Sequence, residues 1–188
     1  MKKLAIIICG VLLLNACEEK DIRLYPSFEE SSVFTINEQG YFEEEESISY
    51  FNILDAISDL EIEDGEIEDV TTEGIWIVIT KLSGNTAESV TVDLSVGTEN
   101  SGSQNLLKNL TIPIPDETTE IFLSSDLIKA GVNLLNSLFY NVIVGGSSVD
   151  DIEFELSGTT NPANSTVNIM LEVFVKEGVV VKQTIEGI

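Results

Sequence analysis

Apolar and polar residues alternate along much of the chain with the period of a β-strand. Val90, Val92, Leu94 and Val96 are separated by Thr91, Asp93 and Ser95, which makes one dry face and one wet face. Ile152, Phe154 and Leu156 alternate with Asp151, Glu153 and Glu155, and Val167, Ile169, Leu171, Val173 and Val175 repeat the pattern. Ile75-Trp76-Ile77-Val78-Ile79 is apolar on both faces. It reads as a central strand covered on both sides, with Trp76 a core residue and not a binding platform. Lys176-Glu177-Gly178 reads as a turn into residues 179–181, closing a hairpin. Short strands joined by stretches such as Ser83-Gly84-Asn85-Thr86 predict a mainly β chain, an antiparallel β-sandwich.

Two segments change period. Ile128, Val132, Leu135, Leu138 and Phe139 fall on one helical stripe after the cap candidates Ser124, Ser125 and Asp126, predicting one packed helix over about 125–139. Gly131 and Asn133 weaken its intrinsic propensity, so packing must hold it. Tyr50, Ile53, Leu54, Ile57 and Leu60 are also helically spaced. A strand-like run follows them at once.

The N-terminus is a targeting signal. Lys2 and Lys3 precede residues 4–14, aliphatic except for Cys9 and Gly10, a run too short to span a bilayer and suited to the apolar region of a secretory signal. Next comes Leu14-Asn15-Ala16-Cys17, which resembles the lipobox of bacterial lipoproteins. That resemblance covers residues 1–17. It implies cleavage between Ala16 and Cys17 and acylation of Cys17, a covalent anchor to the membrane. The alternative is an ordinary signal peptide followed by an incidental cysteine. The acidic cluster Glu18-Glu19-Lys20-Asp21 resembles the export signal of Bacteroidota surface lipoproteins, which implies an outward-facing place on the outer membrane. The chain divides into a signal peptide, residues 1–16, a lipidated tether, 17–32, and a single sandwich domain, 33–188.

Charge narrows the function. The 33 acidic residues outnumber 9 basic ones, histidine is absent, and the formal charge is −24. Nucleic acid is excluded as a partner, because its phosphates would be repelled. Without histidine there is no Ser-His-Asp or Cys-His catalysis and no His-ligated metal. The signal carries two of the nine basic residues and no acid, so its loss deepens the imbalance.

The acids are also uneven. No Lys or Arg lies between Arg23 and Lys81, while residues 38–73 hold 14 acids. Within that stretch, residues 60–68 read as a hairpin about Asp64-Gly65, setting Glu61 opposite Glu68 and Glu63 opposite Glu66. Like charges so opposed destabilise a ladder, and a cation would relieve them. Calcium, bound by Glu61, Glu63, Asp64, Glu66 and Glu68, is the one cofactor this pattern suggests. The spacing is not that of an EF-hand. A solvated acidic face explains the same residues without a metal.

The resulting expectation is a lipid-anchored, non-catalytic binding or structural module of the cell envelope, with an unknown protein or glycan partner. Three alternatives stay open. They are a calcium-dependent form of the same module, a small glycan-active enzyme using two carboxylates, and a fimbria-like assembly subunit pairing through residues 167–175 or the C-terminal segment.

Overall fold

The alternating segments do become strands, most of them longer than their apolar pattern. The computed structural model describes residues 20–60, 65–145 and 150–185. In chain order these form β1 (Lys20–Leu24), β2 (Ser27–Gln39), β3 (Tyr41–Ile48), α1 (Tyr50–Ser58), β4 (Glu66–Lys81), β5 (Ser89–Thr98) and β6 (Ser101–Pro113). Then come β7 (Thr119–Phe122), α2 (Lys129–Gly145), β8 (Ile152–Asn161) and β9 (Thr166–Ile185). One sheet runs β1-β9-β4-β7 with β2 also on β9, and the other runs β3-β8-β5-β6. The pairings are antiparallel. The fold is an antiparallel β-sandwich with two helices. Among the described residues no helix is long and apolar enough to cross a membrane.

The core is the set of inward positions that the alternation identified. Val90, Val92, Leu94 and Val96 on β5 meet Ile152, Phe154 and Leu156 on β8, and odd-numbered residues of β9 from Val167 to Val175 are buried opposite them. Leu135, Leu138, Phe139 and Val142 of α2 and Ile53 of α1 add to it. Ser49 caps α1, its side-chain oxygen accepting from Phe51 N–H.

Three expectations need correction. Lys176-Glu177-Gly178 is not a turn, because β9 passes straight through it with β2 on one side and β4 on the other. The inward phase is unbroken, with Val179 and Val181 buried after Val175, so two ladders hold the backbone extended where Gly178 alone would have let it bend. The predicted helix starts four residues late and runs on to Gly145. Ser124 and Ser125 lie in a turn with Asp126, whose N–H donates to Leu123 C=O, and Ile128 N–H donates to Leu106 C=O of β6. The backbone there is committed to β6, so the helix begins only where Val132 N–H reaches back to Ile128 C=O. Val142, buried one turn beyond Phe139, extends its apolar stripe.

The third correction concerns the tether. Residues 20–24 and 27–32 are strand, not spacer. Lys20 pairs with Ile185, Leu24 with Val181 and Ser27 with Gly178, so β1 and β2 follow one register along β9. Only Tyr25 and Pro26 interrupt them, and even there Pro26 C=O accepts from Val179 N–H. Proline lacks the donor that a continuous ladder needs. Phe28 is buried edge-on against Phe139, ring centroids 5.9 Å apart. A chain beginning at Val33 is therefore expected to melt at least about 10 °C below the full chain, since removing a buried Phe alone costs about 3–5 kcal/mol. Thermal unfolding followed by circular dichroism checks this, and an unchanged midpoint would restore the tether.

Pairing on both sides also bears on assembly. Residues 167–175 have β2 on one edge and, from Ile169, β4 on the other, and residues 181–185 are covered by β1. The stretch named for strand addition has no open edge over 169–175.

Candidate functional site

Strand β4 is covered unevenly. On the side away from β9, β7 pairs only with residues 76–79, and α2 lies along the stretch before them. Register shifts at Ile67/Asp69 and at Thr72/Gly74 bend and twist the strand there. Its outward edge is closed by other groups. Val70 N–H donates to Asp69 Oδ1 at 3.0 Å, Thr72 N–H donates to Asn136 Oδ1 at 2.9 Å, and Ile75 C=O accepts from Leu123 N–H at 3.1 Å. Side-chain oxygens thus occupy places where an added strand would put its carbonyls. A seam is left between strand and helix.

The seam has two halves of different chemistry. Its polar half, about 610 Å³, lies between residues 68–71 of β4 and Asn133, Asn136, Ser137, Tyr140 and Asn141 of α2. Its apolar half, about 520 Å³, is lined by Gly74, Ile75, Trp76, Phe122, Leu127 and Val132, with Thr72, Glu73, Ser124 and Lys176 at its borders. Trp76 is not the core residue the sequence suggested. Ile75, Ile77 and Ile79 are buried while Trp76 faces outward, half-buried. The register sets Trp76 beside Phe174 on one side and Phe122 on the other. Its ring stacks on Phe174 at 5.2 Å with 2° between planes, and Phe122 tilts against it at 6.1 Å. Phe122, on the edge strand, is 69% exposed. Together the three rings form a candidate interaction surface on the strand face.

Behind the middle of the seam sits an acid that the sequence reading passed over. Glu177 occupies an inward position of β9 and is fully buried, with Phe28 and Thr72 as its cross-strand neighbours. Its Oε1 lies 2.7 Å from Thr72 Oγ1, which lies 2.5 Å from Asn136 Oδ1. A hydroxyl has one proton, so Thr72 serves both oxygens only if the carboxyl brings a proton of its own. Burial points the same way. It drives the Glu177 pKa up to about 8, against the Thr72 hydrogen bond and with help from the charge of Glu73. Oε2 has no hydrogen-bond partner among the described residues. Parity was the available signal: Glu177 is the one charged residue at the odd positions from 167 to 181.

The acids singled out from the sequence fare differently. Ala16, Cys17, Glu61, Glu63 and Asp64, and with them residues 61–64 of the expected hairpin, lie outside the described residues. Glu66 and Glu68 lie on β4, where Glu66 is set opposite Lys182. Glu68 receives Arg23 Nε at 2.6 Å, which holds its carboxyl below the usual range. Across from these two acids the fold supplies cations: Arg23 pairs with Glu68, and Lys182, opposite Glu66, pairs with Asp21 at 2.9 Å. No group of three or more possible metal ligands occurs among the described residues. The remaining acids of the seam are engaged too. Glu73 pairs with Lys176 at 3.3 Å, and Asp69 accepts from Val70 N–H.

No protein-family model matches the chain, and no curated protein matches it by sequence. Solved structures similar to it include a chain of turnip yellow mosaic virus, with TM-score 0.35, 13% identity, and 85% of this chain and 80% of that chain covered. The decameric BFDV capsid protein covers 88% and 98% at TM-score 0.32 and 12% identity. The family 11 carbohydrate-binding module from Clostridium thermocellum covers 86% and 87% at TM-score 0.28 and 12% identity. Likenesses this distant leave function to be argued from the seam.

Proposed function

We propose that the chain is a non-catalytic binding module of the cell envelope, anchored through acylated Cys17, facing outward, and holding its ligand along the seam between β4 and α2. The observation that carries the binding site is the placement of Trp76, Phe122 and Phe174 on the outer sheet face beside a two-part groove. Large aromatic side chains left in water lose the free energy of burial, and a ligand returns it. The anchor rests on Leu14-Asn15-Ala16-Cys17 alone.

Only Glu18 and Glu19 separate Cys17 from β1, at most about 10 Å of chain. On this reading the β1 end of the sandwich stands at the membrane. Trp76, opposite Phe174 and so 11 residues along β9 from Ile185, lies about 36 Å along the strand from that end.

Two measurements test the reading. Cells fed radiolabelled palmitate are expected to label the full chain and not its Cys17→Ser variant, and protease added to intact cells is expected to remove it. For the site, the chain's single tryptophan is the probe. Its emission is expected to shift on titration with polysaccharide and protein fractions of the growth medium, and Phe122→Ala is expected to abolish the shift. No shift with any fraction would overturn the binding reading.

A further inference from the structure

We propose that the seam takes a neutral oligosaccharide, with a sugar ring against Phe122 and hydroxyls on the amides of α2. The inference rests on the seam being the binding site and names what it accepts.

Charge argues first. The chain as a whole carries −24, and the cations bordering the seam are already held, Lys176 by Glu73 and Arg23 by Glu68. An anionic ligand would meet repulsion without a partner. A cationic one would find two of the three carboxylates lining the seam, Glu68 and Glu73, already paired.

Hydrogen-bonding chemistry argues next. An extended peptide would need the open edge of β4, whose Val70 and Thr72 donors are taken by Asp69 and Asn136. A purely apolar ligand would suit the half beside Leu127 and Val132 but, extended along the seam, would strip water from Asn133, Asn141 and Tyr140 of the polar half without replacing it. Each sugar hydroxyl both donates and accepts, and so do carboxamides, serine and tyrosine. Sugars also carry C–H faces that lie against aromatic rings. Phe122 meets Trp76 at a 37° tilt and is otherwise open to water. One class of molecule satisfies both halves at once, a polyol with apolar faces and no net charge. From Asp69, opposite Val180, to Trp76, opposite Phe174, the strand spans about 20 Å, so the ligand is a chain of sugars and not a single one.

The full-length protein with Cys17→Ser, held in a zwitterionic detergent, is titrated with neutral hexasaccharides of β-1,4-glucan, β-1,3-glucan, α-1,4-glucan and α-1,6-mannan. Galacturonate hexasaccharide serves as the anionic counterpart, and Trp76 emission is the readout. At least one neutral glycan is expected to bind, with affinity unchanged in 0.5 M NaCl. Phe122→Ala is expected to weaken it at least about tenfold, and Asn141→Ala by a smaller factor. Both positions are exposed, and an unchanged circular dichroism melt confirms that each variant folds. Equal or tighter binding of the galacturonate overturns neutrality. If medium fractions shift Trp76 emission in a Phe122-dependent way while no glycan does, the seam remains a binding site and the sugar assignment fails. If neither does, both fail.

Discussion

Replacing Glu177 by Gln is expected to stabilise the protein at neutral pH and to leave it unchanged in acid. Gln keeps the shape, and its amide N–H can donate to Thr72 as the protonated carboxyl does. The wild-type acid has a folded pKa of about 8 against an ordinary value of 4.5. Between those values the native state holds a proton that the unfolded chain has released. Stability therefore falls as pH rises through that window, and the penalty is absent below it. At pH 7 the shift corresponds to about 3 kcal/mol, or about 6–12 °C in midpoint for a domain of this size. Thermal melts of both proteins from pH 4 to pH 9 isolate the term, since the other carboxylates are common to both. The curves should meet near pH 4 and separate as pH rises. A Gln variant that melts lower at pH 7, or a separation that does not grow with pH, would show that Glu177 is not held neutral. Such a group weakens the domain at neutral pH. Its chain of contacts through Thr72 to Asn136 nevertheless ties α2 to β4, and that tie positions one wall of the seam.

The second large effect is expected at Gly131, where alanine should cost about 2–3 kcal/mol despite its higher helix propensity. A Cβ at this position would overlap the Asn105 carbonyl and approach Leu106 Cα to 2.9 Å. The obstacle is main chain on β6, which cannot rotate away. Helix α2 would have to lift from the sheet, against the hydrogen bond from Ile128 N–H to Leu106 C=O. Gly74→Ala is the control. A Cβ there meets nothing within 4 Å, so its melt should match wild type while its methyl enters the apolar half of the seam. A Gly131→Ala variant as stable as wild type would mean that α2 is not seated against β6.

Much of the core was legible because it follows from alternation. Each strand must hide one face, so Val90 to Val96, Ile152 to Leu156 and Val167 to Val175 declare their inward residues locally. The same logic, carried two residues further, would have kept β9 running through Glu177. A charged residue beside a glycine resembles a turn when read as local composition, and only pairing on both edges overrules it. At α2 the stripe was correct and the start was not. Ser124 and Ser125 are good caps, but whether a cap is used depends on where Leu123 and Ile128 are tied. Gly131, which weakens the helix by local propensity, is what lets it approach β6.

The candidate site was the least legible part. Trp76 sits in an apolar run that looks buried on both faces, and its exposure depends on α2 and β7 leaving the outer face of β4 uncovered at that point. Phe174 and Phe122 lie far from it in sequence and join it only through strand register. No local period announces such a row.

By itself the sequence determined the strand periodicity, the two helical stripes, the apolar N-terminal run that leads to Cys17 and the acidic surplus, because each is a property of neighbouring residues. The tertiary structure decided which acids stand alone. Residues 38–73 contain no base, yet Arg23 and Lys176 reach Glu68 and Glu73 from β1 and β9, and Lys182 stands opposite Glu66. It also decided which aromatic rings meet, and that one glutamate of β9 is sealed away from water. Antiparallel pairing brings together residues a hundred positions apart, and charge, exposure and protonation all depend on the neighbours it supplies.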